Sequence, residues 1–342
     1  MSSNLQSFAR RNFERRGLEA DTFVVRISIV HQAALGDTFL IIPLIRSLRQ
    51  RFAVERGGEG SHITMVTRTN LGQMMMLLGF VDAHAPADAK EHTMWFAPPD
   101  GTHPNSSPAW ADCDLLISYV SNGNDAWAKN AKLAMKLPAS GYWKVETPVM
   151  FVEPRPAVDF VGHVTEWHRS QLEALELRVA PLPLLRKNPD GPIVIHPGSG
   201  SDAKCWPREK FVALGRALKR NGILPTFVLG EAEEERWGHD VIKGLKEEFS
   251  WYLHVGLYEL AEKLGRARLY VGNDSGVSHA AGAMGVPVIA LFGPSNERQW
   301  MPVGAAGAVK VLRAEAPHEK ELAKLEEGAV LAEMLAELRK ID

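Results

Sequence analysis

Short apolar runs recur along the chain, each followed by a polar turn and then by a stretch with apolar residues every three or four positions. The first run, Phe23–Val30 (FVVRISIV), predicts a strand, with a loop over His31–Gly36 after it. A helix is expected from Asp37 to about Phe52. Its Leu40, Ile41, Leu44, Ile45 and Leu48 share one face, and Arg46, Arg49 and Arg51 fall off it. His62–Thr67 reads as a strand, Leu71–Leu78 as a Met-rich helix, and Val81–His84 as a short strand. Glu91–Trp110, with four prolines and little periodicity, reads as a long loop. Asp114–Val120 is a buried strand, Trp127–Leu137 a helix, Val149–Val152 a strand and Glu166–Leu177 a connecting helix.

Pro181–Pro192 carries four prolines and reads as a linker. A second alternation follows it. Ile193–His196, Pro225–Gly230, Tyr252–Val255, Leu269–Val271, Val286–Phe292 and Val309–Leu312 predict strands. Pro207–Arg220, Ala232–Glu248, Tyr258–Gly265 and Glu319–Lys340 predict helices. Strand and helix in alternation predict an α/β chain with parallel sheets covered on both faces. Ligands in such folds lie beyond the carboxyl ends of the strands. The reading divides the chain into residues 1–180, residues 181–318 and a C-terminal helical segment, 319–342, that packs back on the N-terminal domain.

Composition narrows the classes. The 342 residues are 45% apolar and 23% charged with a net charge of −2, which suits two globular domains and gives no global field for nucleic acid. Two cysteines, Cys113 and Cys205, exclude a disulfide framework, and no CxxC pair suggests structural zinc. Met1–Ala20 holds Arg10, Arg11, Arg15 and Arg16 but lacks the apolar core of a secretory signal. Such an arm can touch an anionic membrane surface, although a solvated helical extension explains it with less. No apolar stretch approaches the ~20 residues that span a bilayer.

The stretch Tyr270–Pro294 (YVGNDSGVSHAAGAMGVPVIALFGP) organises the second half. It reads as strand, Gly-rich turn, small-residue helix and strand. Asp274 and Ser275 sit where the helix begins, and unpaired N–H groups at a helix start suit a phosphate. A simple helix cap explains the same residues. His196-Pro197-Gly198-Ser199-Gly200-Ser201, closed by Lys204-Cys205-Trp206-Pro207, offers a second phosphate-type loop with a positive charge. It lacks the spacing of a P-loop. After the next strand, Glu231 or Glu233 is placed to hold ribose hydroxyls, against the ordinary preference of acidic residues for a helix first turn.

In the first half, Ala34-Leu35-Gly36-Asp37 puts a carboxylate past a strand end, as a general base or as an N-cap. A helix start favours its ionised form, so it serves as a base only with a hydroxyl held against it. Lys129, Lys132 and Lys136 share a helix face that can receive an anion or simply be solvated. Asp112-Cys113-Asp114 spells the DxD metal motif, but Asp114 opens an apolar strand without acidic partners, which favours strand-edge charge.

Together these residues resemble glycosyltransferase family 9, the lipopolysaccharide heptosyltransferases, over about residues 23–312. The resemblance rests on Gly272–His279 with Phe292-Gly293-Pro294, on Ala34–Asp37, and on His196–Gly198 with Lys204–Pro207. It implies the GT-B fold: two Rossmann-like domains with parallel sheets facing across a cleft, the acceptor in the first and the donor in the second. It implies Asp37 as catalytic base and Lys204 on the diphosphate. Ser199, Asp274, Ser275, Gly276 and His279 would complete the donor loop, with Leu257 against adenine and Lys129–Lys136 on the acceptor. The implied reaction is inverting transfer of heptose from ADP-heptose to a lipopolysaccharide inner-core hydroxyl, with no metal required. The partners would be the nucleotide-sugar and an anionic glycolipid, and the location the cytoplasm, peripheral on the inner membrane face. Asp274 is expected to bind backbone N–H groups or a donor hydroxyl. A non-hydrolysing sugar-nucleotide epimerase and a non-catalytic nucleotide-sugar-binding module are the alternatives. His31-Gln32-Ala33 replaces the family's usual Arg-Leu-Ser, which leaves open a Kdo-terminated core, a heptosylated core or a protein hydroxyl as acceptor.

Overall fold

A computed structural model describes residues 24–53, 60–98, 108–135, 147–180 and 185–341. The Arg-rich arm and Lys136 lie outside the described residues. The chain forms two compact units. One takes the chain to Ala33 and from Ile41 to Pro181; the other takes Ala34–Leu40 and everything from Leu182.

The first unit is built on a five-stranded parallel sheet. Its strands are β1 (Val25–Val30), β2 (Ser61–Thr67), β3 (Ala83–Pro86), β4 (Leu115–Ser118) and β5 (Val149–Phe151), in the order β3-β2-β1-β4-β5. β1 and β4 are nearly wholly buried, as their unbroken apolar runs require in a sheet covered on both faces. Asp112-Cys113-Asp114 is explained locally. The Arg26 guanidinium holds Asp112, Nη1 to Oδ2 at 2.5 Å, and the Arg26 backbone N–H donates to Asp114 Oδ2 at 2.9 Å.

Two expectations are corrected here. The helix from Asp37 to Phe52 is two helices, α1 (Leu35–Leu40) and α2 (Ile42–Arg51), with the break at Ile41. Pro43 lacks an N–H, and its ring would meet the carbonyl four residues back, so one helix cannot run through. The stretch 91–110 is not all loop: Lys90–Thr93, Met94–Phe96 and Ala109–Ala111 are helical turns. Trp95 and Trp110 enter the core beside Trp127. The His92 imidazole, fully buried, donates from Nδ1 to the Ala87 carbonyl at 2.7 Å and accepts from Trp127 Nε1 at 3.0 Å. Both ring nitrogens are satisfied, and burial lowers its pKa.

The second unit holds six parallel strands in the order β11-β10-β9-β6-β7-β8. They are β6 (Ile193–His196), β7 (Pro225–Leu229), β8 (Ser250–Leu253), β9 (Leu269–Asn273), β10 (Val288–Leu291) and β11 (Val309–Leu312). The order reverses direction between β6 and β9, the switch point where doubly wound sheets open a crevice at their carboxyl ends. The helix expected over Ala232–Glu248 is interrupted at Gly238, whose φ of +85° suits glycine. The C-terminal helix, Glu327–Ile341, puts Val330, Met334 and Leu338 into the core of this second unit.

Candidate functional site

Two loops leave the second sheet at its switch point, one after β6 and one after β9. Asn273, the last residue of β9 and fully buried, ties them together. Its Nδ2 donates to the Pro197 carbonyl at 2.7 Å, and its Oδ1 accepts the Trp206 N–H at 3.0 Å. The first loop is anchored further by Trp206, whose Nε1 donates to the Leu325 carbonyl at 3.0 Å.

The charged pair sits on this frame. Lys204 Nζ donates to Asp274 Oδ2 at 2.7 Å. Asp274 is 6% exposed and Lys204 39%, so the carboxylate is inside and the ammonium reaches toward solvent. The Ser199 hydroxyl donates to the Asp274 carbonyl at 2.6 Å. The side chain of Asp274, expected to bind backbone N–H groups or a donor hydroxyl, pairs with the Lys204 ammonium.

Ser275 caps the helix that follows, Gly276–Ala283, by accepting the Ser278 N–H. Its Oγ lies 3.4 Å from His196 Nδ1. Burial lowers the pKa of His196 to about 4, against the pull of the Glu233 charge, so the imidazole is neutral at pH 7. Beneath the cap, the Ser278 hydroxyl donates to the Asn273 carbonyl at 2.5 Å, which leaves the buried Tyr270 hydroxyl to donate to Ser278 Oγ at 3.0 Å. The turn is thus fixed from below by groups that never reach solvent.

Glycine is needed at two facing positions. A Cβ on Gly276 would lie 2.9 Å from the Gly36 nitrogen and 2.9 Å from Leu35 Cβ; one on Gly36 would lie 3.1 Å from His279 Cδ2. Hence α1, with Asp37 in its first turn, packs backbone against backbone on the start of the Gly276–Ala283 helix. This contact groups Ala34–Leu40 with the second unit, whereas the sequence reading assigned them to the first.

Of the glutamates after β7, Glu233 caps its own helix by accepting the Gly230 N–H at 2.9 Å, and its carboxylate lies over Gly198, where a Cβ would meet it at 2.1 Å. Glu234 pairs with His254, whose φ is +52°. Glu231 is exposed and Leu257 half-buried. Each opens a helix at the same carboxyl end of the sheet, outside the hydrogen-bonded set among the described residues. Arg236 pairs with Asp202 at 2.9 Å and donates to Cys205 Sγ at 3.5 Å, bracing the Lys204 loop. In the first unit, Lys129 and Lys132 are exposed on the helix Ala126–Ala134. Lys132 donates to the Gly123 carbonyl at 3.1 Å and lies over the Phe151 ring. Among the described residues, no group of three or more His, Cys, Asp or Glu is gathered as a metal ion needs. No described helix is long and apolar enough to cross a membrane.

Sequence reasoning missed Asn273, Tyr270, Ser278 and Arg236. Asn273 looked like part of a turn, and no period in the sequence separates a strand's last residue from the turn after it.

Chemically, the site offers an ammonium, a hydroxyl, a helix start and a neutral imidazole at the loops of a sheet switch point. An anion arriving there would compete with Asp274 for Lys204.

Residues 165–329 match the profile of Glycosyltransferase family 9 (heptosyltransferase). The lipopolysaccharide heptosyltransferase 3 of Escherichia coli K12 is 27% identical over 206 residues, 57% of this chain and 56% of that protein. The lipooligosaccharide heptosyltransferase 2 of Haemophilus influenzae is 28% identical over 131 residues, 37% of this chain and 36% of that protein. The chain thus spans about half the length, or less, of these curated relatives. Among solved structures, a family 9 glycosyltransferase of Veillonella parvula aligns with a TM-score of 0.68 at 20% identity, over 92% of this chain and 97% of that one. The ADP-heptose lipopolysaccharide heptosyltransferase II of E. coli aligns with a TM-score of 0.67 at 16% identity, over 92% and 99%. Residues 165–329 therefore resemble glycosyltransferase family 9, and the two parallel sheets have the GT-B type of fold seen in the aligned heptosyltransferase structures.

Proposed function

We propose that the chain is an inverting glycosyltransferase that moves heptose from ADP-heptose to a hydroxyl of a lipopolysaccharide inner-core acceptor. The observation that carries the reading is the gathering of Lys204, Ser199 and the Ser275–Gly276 helix start at the β6/β9 switch point, inside the segment that matches the family. In this reading Lys204 leaves Asp274 for the diphosphate, and the helix start takes the remaining phosphate charge. Both stabilise the negative charge that grows on ADP as the glycosidic bond breaks. Asp37 accepts the proton of the acceptor hydroxyl as its oxygen attacks the anomeric carbon from the opposite face. Glu231 and Leu257 hold ribose and adenine, and His279 shapes the loop. Lys129 and Lys132, with Lys136, receive the anionic glycolipid. The protein would work in the cytoplasm, at the membrane face where such an acceptor is presented.

The test is a coupled assay of ADP release with ADP-heptose and a heptose-deficient lipopolysaccharide. ADP freed only when acceptor is present supports transfer. A product that keeps its nucleotide points to the epimerase, and binding without turnover to the non-catalytic module. A thermal-shift panel of ADP, UDP and GDP sugars checks the donor: stabilisation by UDP sugars alone overturns ADP-heptose.

A further inference from the structure

The first sheet has its own switch point, between β1 and β4, and polar groups collect there that the transfer reaction does not use. In the register of β2, β1 and β4, Val30 pairs with Val66 and with Ser118. The next residue on each strand is therefore in line: Thr67, His31 and Tyr119. Laterally paired residues of a sheet share a face. The His31 and Tyr119 rings meet edge-on at 5.0 Å, and Tyr119 meets His168, from the helix Val164–Ser170, at 5.1 Å.

All four residues are more than nine-tenths buried. Thr67 Oγ1, His31 Nδ1, Tyr119 OH and His168 Nδ1 have no hydrogen-bond partner among the described residues. His168 uses only its Nε2, on the Pro154 carbonyl at 3.0 Å. Buried polar atoms of native proteins are nearly always bonded, to protein or to an ordered molecule. Three orphans on adjoining strand ends and a fourth on the helix Val164–Ser170, each able to donate or accept once, match the two to four partners that a buried hydroxyl requires.

We infer that Thr67, His31, Tyr119 and His168 form a binding site for a neutral hydroxyl, supplied either by an internal water or by a sugar. Charge agrees with that class. Burial holds His31 at about 3, with His168 adding to the effect, and holds His168 at about 4. Burial also raises the Tyr119 phenol, so none of the three carries charge at pH 7. Phosphate or carboxylate would find no counter-charge in this set.

The test compares wild type with Tyr119→Phe in melting temperature, with and without methyl mannoside as a neutral sugar probe. An internal water predicts that Tyr119→Phe melts roughly 2–4 °C lower in the absence of sugar, because a bound molecule loses a partner. A sugar hydroxyl predicts equal or higher melting of the variant without the probe and loss of the probe-induced shift in it. Equal behaviour in both conditions, or a variant that melts higher by the same margin in both, overturns the site, since removing an idle buried hydroxyl relieves the fold. A crystal structure of the full-length wild type, grown without and then soaked with the probe, reads the same question directly. Bridging density at Tyr119 in either crystal supports the site, and a dry gap in both overturns it.

Discussion

Lys204 and Asp274 neutralise one another across the mouth of the second sheet, Nζ to Oδ2 at 2.7 Å, with the carboxylate buried and the ammonium half-open. On the proposed reading, a diphosphate draws Lys204 away from an existing partner. We expect Lys204→Ala to weaken ADP binding by about 10- to 100-fold, the worth of a charge-assisted contact. It should also lower stability by about 1–2 kcal/mol, because Asp274 is left inside without its partner and the exposed end of the pair is screened. Asp274→Asn frees the ammonium and should leave ADP affinity equal or tighter. Titration calorimetry on both variants decides: equal weakening by each would make Asp274 a direct ligand of the nucleotide.

The proposed base makes a different signature. Asp37→Asn should keep ADP affinity and reduce turnover by about 10²- to 10⁴-fold, the usual share of proton transfer. Parallel binding and rate measurements check it. Turnover within a few-fold of wild type would remove Asp37 from the chemistry.

Backbone contact gives the next expectation. Gly276→Ala places a methyl 2.9 Å from the Gly36 nitrogen, a main-chain atom that cannot swing aside. Gly36→Ala meets only the His279 ring edge, at 3.1 Å from its Cδ2, and Gly276 Cα at 3.3 Å. Overpacking of this kind costs about 1–3 kcal/mol, so Gly276→Ala should melt lower than Gly36→Ala. Thermal unfolding of the two variants tests the order.

Acid should destabilise the chain before its carboxylates titrate. His31, His168 and His196 have folded pKa values of about 3, 4 and 4, all lowered by burial. An unfolded histidine titrates near its ordinary value of about 6.5. Between these limits the unfolded chain binds protons that the folded chain refuses, so stability rises with pH through the window and flattens above pH 7. Each histidine contributes at most about 1.4 kcal/mol per pH unit there. Urea titrations at pH 5 and 7 should differ accordingly, and His168→Asn should shrink the difference. Equal midpoints at the two pH values would refute the assignment.

Much of this was legible in the residues. Apolar runs such as Ile193–His196 and Leu269–Val271 announced parallel strands, because a strand buried on both faces leaves no polar alternation. The Gly272–His279 turn and the Lys204 loop were readable as turns because glycine, serine and proline cluster after each apolar strand. What stayed hidden depended on tertiary neighbours. No local pattern tells that Asn273 staples two loops, or that Asp274 faces Lys204 from another strand. Pro43 did signal the break between α1 and α2, yet the amphipathic face on both sides of it concealed the signal. The buried tryptophans of 91–110 were masked by prolines around them.

The close approach of Gly36 and Gly276 has a bearing on descent. The two residues lie far apart in the sequence, yet they share one van der Waals gap, and an atom gained by Gly276 forces the Leu35–Gly36 turn to give way. Substitutions at either site should thus be inherited as pairs. In any lineage where one glycine has been lost, the compensating change is expected in Leu35–Asp37 or Ser275–His279, and not in Ser199 or Lys204.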